Sequence, residues 1–188
     1  SLVGHRLMEA LELFLKVDPQ TLTAMLTGGN TVLRSVHYMV PTDDNPERLW
    51  AAEHEDINLM TLLIEASGDG LEIKTREGQW LPIMCSPDEI VVDTGDMFQR
   101  LTNGLLPAVT HRVVAPKNCR EPRYSMPFFI HPSPNTSLTP LRSTKINQAM
   151  RYPIMSAGSY LNERLRENGV LTVDYDPLDD HLTDLDDE

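Results

Sequence analysis

His54 and Asp56 stand two positions apart in the run Trp50-Ala51-Ala52-Glu53-His54-Glu55-Asp56, and His111 follows in Thr110-His111-Arg112-Val113-Val114. Two imidazoles and one carboxylate on one face of a metal ion leave the opposite coordination positions open. That donor set suits non-haem Fe(II), which must take a co-substrate and O2 side by side. In an extended segment residues i and i+2 project to the same face, so His54 and Asp56 could reach one ion. His111, near the start of another segment with strand character, could bring the third ligand. The spacing alone is a weak signal, because six histidines are present. The bland alternative is a surface histidine beside acids together with a half-buried strand histidine.

A frame is needed to bring such residues together. Residues 2–17 read as an amphipathic helix, with Leu7, Ala10, Leu11, Phe14 and Leu15 recurring at three- and four-residue spacing. Asp18-Pro19 closes it, and Pro19 can open a second short helix reaching Leu26. Beyond the turn Thr27-Gly28-Gly29-Asn30 the pattern changes to short apolar runs separated by Gly, Pro, Asp and Asn. Strands are expected over 31–40, 57–65, 70–75, 80–83, 89–94, 109–115 and 123–130, with turns at Asp69-Gly70 and Glu77-Gly78. Residues 95–101 read as a short helical turn, in which Asp96 can act as a cap. Residues 155–167 read as a C-terminal helix ended by Asn168-Gly169. The expected fold is mainly β: a double-stranded β-helix, or jelly roll, with flanking N- and C-terminal helices. Its divisions are a helical lead-in at 1–30, a jelly-roll domain with its helix at 31–172, and an acidic tail at 173–188.

Composition limits the partners. A chain of 188 residues fits one domain with a sizeable core. The net charge of −12 is concentrated: eight acids and no Lys or Arg lie between 174 and 188, leaving −4 for the rest. Such a run reads as a solvated tail. Nucleic acid is not an expected partner, since phosphate binding needs clustered Lys and Arg. No stretch approaches the roughly 20 apolar residues that span a bilayer, so no membrane partner is expected. With no leader pattern visible, a cytoplasmic location is expected, and Cys85 and Cys119 are expected as free thiols.

The sequence around the three candidate ligands carries the stronger signal, over about 33–133. Thr61-Leu62-Leu63, Gly70-Leu71-Glu72-Ile73 and Gly78-Gln79-Trp80 follow the His54 block. Ile90-Val91-Val92-Asp93-Thr94-Gly95-Asp96-Met97 precedes Leu101-Thr102-Asn103-Gly104, and His111-Arg112-Val113-Val114 precedes Arg123-Tyr124-Ser125-Met126-Pro127-Phe128-Phe129. In order and spacing this resembles the isopenicillin N synthase-like family of Fe(II)/2-oxoglutarate (2OG)-dependent oxygenases. The resemblance implies iron ligation by His54, Asp56 and His111. It also implies that Arg123 and Ser125, matching an Arg-x-Ser motif, hold the distal carboxylate of 2OG. A guanidinium fork can pair bidentately with a carboxylate, and on a strand both side chains share a face. Tyr38 falls where relatives often carry a tyrosine that helps bind the co-substrate, although Met39-Val40 stand before Pro41 here. Phe129 falls where the family places an aromatic near substrate; a core aromatic is the alternative for both.

The implied activity is oxidation of a small organic substrate by O2, through hydroxylation, desaturation or cyclisation, with 2OG converted to succinate and CO2. A 2OG-independent Fe(II) oxidase of the isopenicillin N synthase type, in which the same pair grips a substrate carboxylate, remains open at this point. So does a jelly-roll binding module without catalysis. Family members usually carry a substantial region ahead of the first helix seen here, so a catalytic-domain fragment is an expectation. The gap between His111 and Arg123 is slightly longer than usual, with Pro116 and Pro122 inside it.

Overall fold

A computed structural model describes residues 1–42, 48–84, 86, 88–143 and 148–171; the acidic tail 173–188, with His181, and Cys85 lie outside the described residues. Among the described residues, three helices, α1 (Leu2–Leu15), α2 (Asp96–Leu101) and α3 (Ala157–Glu167), flank two antiparallel sheets. The expected second helix is a single 3-10 turn at Thr23–Leu26.

One sheet contains β1 (Val32–Leu33), β2 (Val36–Tyr38), β4 (Met60–Ala66), β7 (Val91–Thr94) and β9 (Arg123–Ile130). The other contains β3 (Leu49–His54), β5 (Leu71–Lys74), β6 (Trp80–Pro82) and β8 (His111–Val114). Their orders are β1-β9-β4-β7, with β2 also on β9, and β3-β8-β5-β6. This is the expected jelly-roll arrangement, with two departures. The expected strand 31–40 is split in two, because Pro127 of β9 lies opposite the break and has no N–H to give the ladder; Arg34 N still donates to Pro127 O at 3.0 Å. The strand β3 is not among those expected from the sequence, and it carries His54. Its ladder with β8 has register shifts on both sides of Ala51, and ends with His54 directly opposite His111.

Alternation divides the five-stranded sheet between core and cavity. Met60 and Leu62 of β4 and Ile130 of β9 face outward, where they pack with Met8 and Leu15 of α1, Met97, Phe98 and Leu101 of α2, and Tyr160 of α3. The intervening residues Thr61, Leu63, Arg123, Ser125, Pro127 and Phe129 point the other way, into the space between the sheets. Of the expected stripe on α1, Leu15 is buried and Leu7 and Leu11 pack against the core, whereas Ala10 and Phe14 are exposed; Gly4, Met8 and Glu12 complete the buried face. A Cβ at Gly4 would stand 2.7 Å from Ile130 Cδ1, so the missing side chain lets α1 lie close on β9.

Candidate metal centre

His54, Asp56 and His111 each offer one donor atom, and these atoms lie within 4.8 Å of one another. Both Nε2 atoms face the same carboxylate oxygen, His54 at 3.9 Å and His111 at 4.0 Å from Asp56 Oδ1. The histidine rings are tilted with centroids 4.3 Å apart. Their other nitrogens are occupied: His54 Nδ1 bonds Ala52 O at 2.8 Å and His111 Nδ1 bonds Val109 O at 2.9 Å. A carbonyl can only accept, so Nδ1 carries the proton and each Nε2 presents its lone pair to the centre. Two neutral imidazoles converging on a carboxylate fit a divalent ion of the Fe(II) type. The His54 side chain is 47% exposed and the His111 side chain 12%, so one side of the cluster is open.

Asp56 lies past the end of β3, not on the strand, so strand alternation alone does not aim it. Its segment is held by α2. Gly95 N donates to Leu59 O, Asp96 N to Asp56 O and Met97 N to Asn58 O, which uses amides at the start of the helix that have no partner within it. A Cβ on Gly95 would come within 2.4 Å of Asn58 O and 2.7 Å of Asp56 O, so only glycine permits this approach. The Asp56 carboxylate accepts a short hydrogen bond from Thr61 Oγ1, which in turn accepts from Asn58 Nδ2 at 2.8 Å. Asp96 does not cap α2 with its side chain, contrary to expectation; its carboxylate accepts from Tyr160 Oη at 3.0 Å and lies 3.6 Å from Arg164 Nε. Glu55, between two of the donors, accepts from Thr110 Oγ1 at 2.7 Å.

The cluster separates two cavities. The inner one, about 340 Å³, lies between the sheets and is lined by Tyr38, Thr61, Asp93, Arg123, Ser125 and Phe129 among others. Arg123 and Ser125 are buried, 3% and 5% exposed, on the same face of β9. Arg123 Nε donates to Gly68 O at 3.0 Å, but Nη1 is buried with no partner. Burial pulls the Arg123 pKa down, while Tyr38 and Asp69 favour its charged form. Tyr38 pairs with Arg123 across β2–β9, and its ring lies 5.2 Å from the guanidinium carbon. A buried cation with an orphaned donor in the lining of a cavity fits the carboxylate of a dicarboxylic acid. Asp93 is a second acid in this cavity: burial, then the Asp56 carboxylate, pushes its carboxyl up to about 7, against hydrogen bonds from Thr61.

The outer cavity, about 720 Å³, opens between α3 and the cluster, and Arg34, His54, Asp56 and Phe129 border both spaces. All seven residues singled out from the sequence therefore line the inner cavity. His37 stacks on Tyr124 at 4.7 Å. His131 follows β9; burial lowers its pKa, and its Nδ1 is buried with no partner. His5 bonds Ser1 O on α1, and Cys119 is a free thiol. Sequence reasoning missed Arg34, Thr61 and Asp93. Thr61 and Asp93 lie directly opposite each other across β4–β7, a pairing with no local sequence signal.

A jelly roll with two histidines and one carboxylate between its sheets defines a class of non-haem metalloprotein. Residues 29–132 match the 2OG-Fe(II) oxygenase superfamily. The 2'-deoxymugineic-acid 2'-dioxygenase of Hordeum vulgare is 31% identical over 174 residues, which cover 85% of this chain and 50% of that protein. The 2-oxoglutarate-dependent dioxygenase ecdK of Aspergillus rugulosus is 32% identical over 170 residues, covering 82% and 51%. A 2OG-Fe(II) oxygenase family protein from Caulobacter crescentus matches in structure with a TM-score of 0.79 at 40% identity, over 88% of this chain and 55% of that chain. A Neurospora crassa protein solved in complex with alpha-KG and thymine matches at 0.79 and 27% identity, over 89% and 53%. This chain spans about half the length of the curated relatives it matches. It belongs to the 2OG-Fe(II) oxygenase superfamily.

Proposed function

We propose that the protein is an Fe(II)/2OG-dependent dioxygenase acting on a small organic molecule. The carrying observation is the joint placement of three convergent metal donors and a buried, incompletely paired arginine in one cavity. Fe(II), when bound, supplies the redox chemistry that couples oxidative decarboxylation of 2OG to oxidation of the substrate. For a hydroxylation the balance is substrate, 2OG and O2 in; hydroxylated substrate, succinate and CO2 out.

The protein supplies the geometry. His54, Asp56 and His111 are the ligands, and the carbonyls of Ala52 and Val109 hold both imidazoles in the ligating tautomer. Thr61 orients Asp56. Arg123 takes the distal carboxylate of 2OG on its free Nη1, the Ser125 hydroxyl adds a bond, and Tyr38 walls the guanidinium on one side. The 2OG-independent oxidase reading gains no support from these relatives, one named as 2-oxoglutarate-dependent and another solved with alpha-KG. Thymine in the Neurospora crassa complex supports a small-molecule substrate for this site as well.

The test is succinate formation from 2OG with Fe(II), ascorbate and O2, before any substrate is known. Wild type is expected to give slow uncoupled succinate that a chelator abolishes, and His111→Ala is expected to lose stoichiometric iron binding and all succinate. A folded wild type that binds iron and 2OG without ever yielding succinate would remove the proposal.

A further inference from the structure

Taking the oxygenase reading as its basis, we propose that Arg34 holds a carboxylate of the substrate at the rim of the metal centre, so that the enzyme acts on small apolar acids. Arg34 sits at the break between β1 and β2, and its backbone N–H is fixed to Pro127 O at 3.0 Å. It borders both the inner and the outer cavity, as do two of the metal donors, His54 and Asp56. A group held by its guanidinium therefore lies beside the reacting centre, on the side open to solvent.

The Lys, Arg, Asp and Glu side chains lining the outer cavity other than Arg34 are already engaged. Lys74 pairs with Glu53 at 3.0 Å, Glu55 accepts from Thr110, and Arg164 lies between Glu167 and Asp96. Asp56 belongs to the donor cluster. Among the described residues, Arg34 has no side-chain hydrogen bond or ion pair. Lys74 is offset by Glu53, and Arg164 by Asp96 and Glu167, so the Arg34 guanidinium is the cation left at this rim to attract and orient an anion. Its planar fork matches a carboxylate bidentately. Phe129 borders the same two cavities and offers an aromatic surface for the apolar body of the ligand. This anchor is distinct from Arg123, which is buried in the lining of the inner cavity and is absent from the outer one.

The experiment uses protein saturated with Fe(II) and 2OG in the absence of O2, so that the Arg123 site is filled. Phenylacetate and cinnamate, with their primary amides, are titrated by calorimetry and by the visible absorption of the iron–2OG complex. At least one acid is expected to bind about tenfold or more tighter than its amide in wild type, as a charge-assisted pair implies. That ratio is expected to fall to about one in Arg34→Gln and to recover in part in Arg34→Lys. Because it is a ratio within one protein, partial misfolding of a variant does not imitate it. Equal binding of acid and amide in wild type would overturn the proposal, as would no acid binding at all, or a ratio unchanged in Arg34→Gln. A wild type that takes up neither iron nor 2OG would instead remove the oxygenase reading beneath it.

Discussion

Glu12 and Arg123 are both buried charges, 5% and 3% exposed, and their surroundings are opposite. Glu12, on α1, accepts from Gln20 N at 3.1 Å, Leu22 N at 2.7 Å, Thr23 N at 2.9 Å and Thr23 Oγ1 at 3.2 Å. The chain leaving the helix is wrapped around one carboxylate, which is fully used. Arg123, in the inner cavity, keeps one buried nitrogen without a partner, and Asn58 Oδ1 beside the Asp56 segment is in the same condition. Buried polar groups are nearly always satisfied, so an orphan needs a reason. Where all partners come from the chain, the charge is architecture. Where one partner is missing, the fold maintains an unpaired group that a ligand can complete.

The largest expected contrast comes from Arg123→Met. If the guanidinium awaits a ligand, removing it costs little stability or raises it, because an uncompensated buried charge disappears. Affinity for 2OG should fall by about a hundredfold, the order expected when one member of a buried charge pair is truncated. Thermal unfolding and 2OG titration on the same samples read both effects. A variant that loses several kcal/mol of stability while keeping 2OG affinity would place Arg123 with Glu12 among structural charges.

Thr61→Val probes the boundary between the two kinds of group. The Thr61 hydroxyl donates to the ligand Asp56 and accepts from Asn58 Nδ2, so it belongs to the scaffold and to the site at once. Losing it should weaken iron binding about 10–100-fold, as for other partners of metal ligands. It should also cost about 1–3 kcal/mol of stability, since a buried amide donor is left unpaired. Iron titration and denaturant unfolding separate the two. Unchanged iron affinity would show that Asp56 is aimed by the α2 amides alone.

What can be read from the sequence follows the same division. His54, Asp56, His111, Arg123 and Ser125 are visible because the blocks around them resemble a known family in order and spacing, while His54-x-Asp56 and Arg123-x-Ser125 alone are weak signals. On β9 the alternation of Arg123, Ser125, Pro127 and Phe129 also gives the right face. The strand β3 is not visible: Trp50-Ala51-Ala52 is short and weakly apolar, and the two register shifts against β8 blur its alternation. Thr61, Asp93 and Arg34 acquire their meaning from where the fold places them, Thr61 opposite Asp93 across β4–β7 and Arg34 between two cavities, so no local pattern marks them. The buried face of α1 keeps Leu7, Leu11 and Leu15 of its apolar stripe but also takes in Glu12, which the stripe does not mark because apolar periodicity has no place for a carboxylate that points inward fully satisfied.

Glu12→Gln gives the smallest effect and tests the architectural side of the comparison. Burial acts to raise the Glu12 pKa, but the donors of Thr23, Leu22 and Gln20 outweigh it, and the group lies below its usual value of 4.5. A carboxyl whose folded pKa is depressed contributes stability that is fully present above the unfolded value and disappears as pH falls through the folded one. At pH 7 the amide variant should therefore be less stable by about 1–2 kcal/mol, the worth of hydrogen bonds to a charged acceptor, since one face of the amide now meets donors with a donor. As pH drops below 4.5 the wild-type carboxylate protonates and the difference should narrow. Denaturant unfolding of both proteins across that range measures it, with iron and 2OG binding at pH 7 expected to be unchanged because α1 touches neither cavity. A gap independent of pH would mean that Glu12 acts through shape and not through its charge, and the contrast with Arg123 would then rest on the cavity alone.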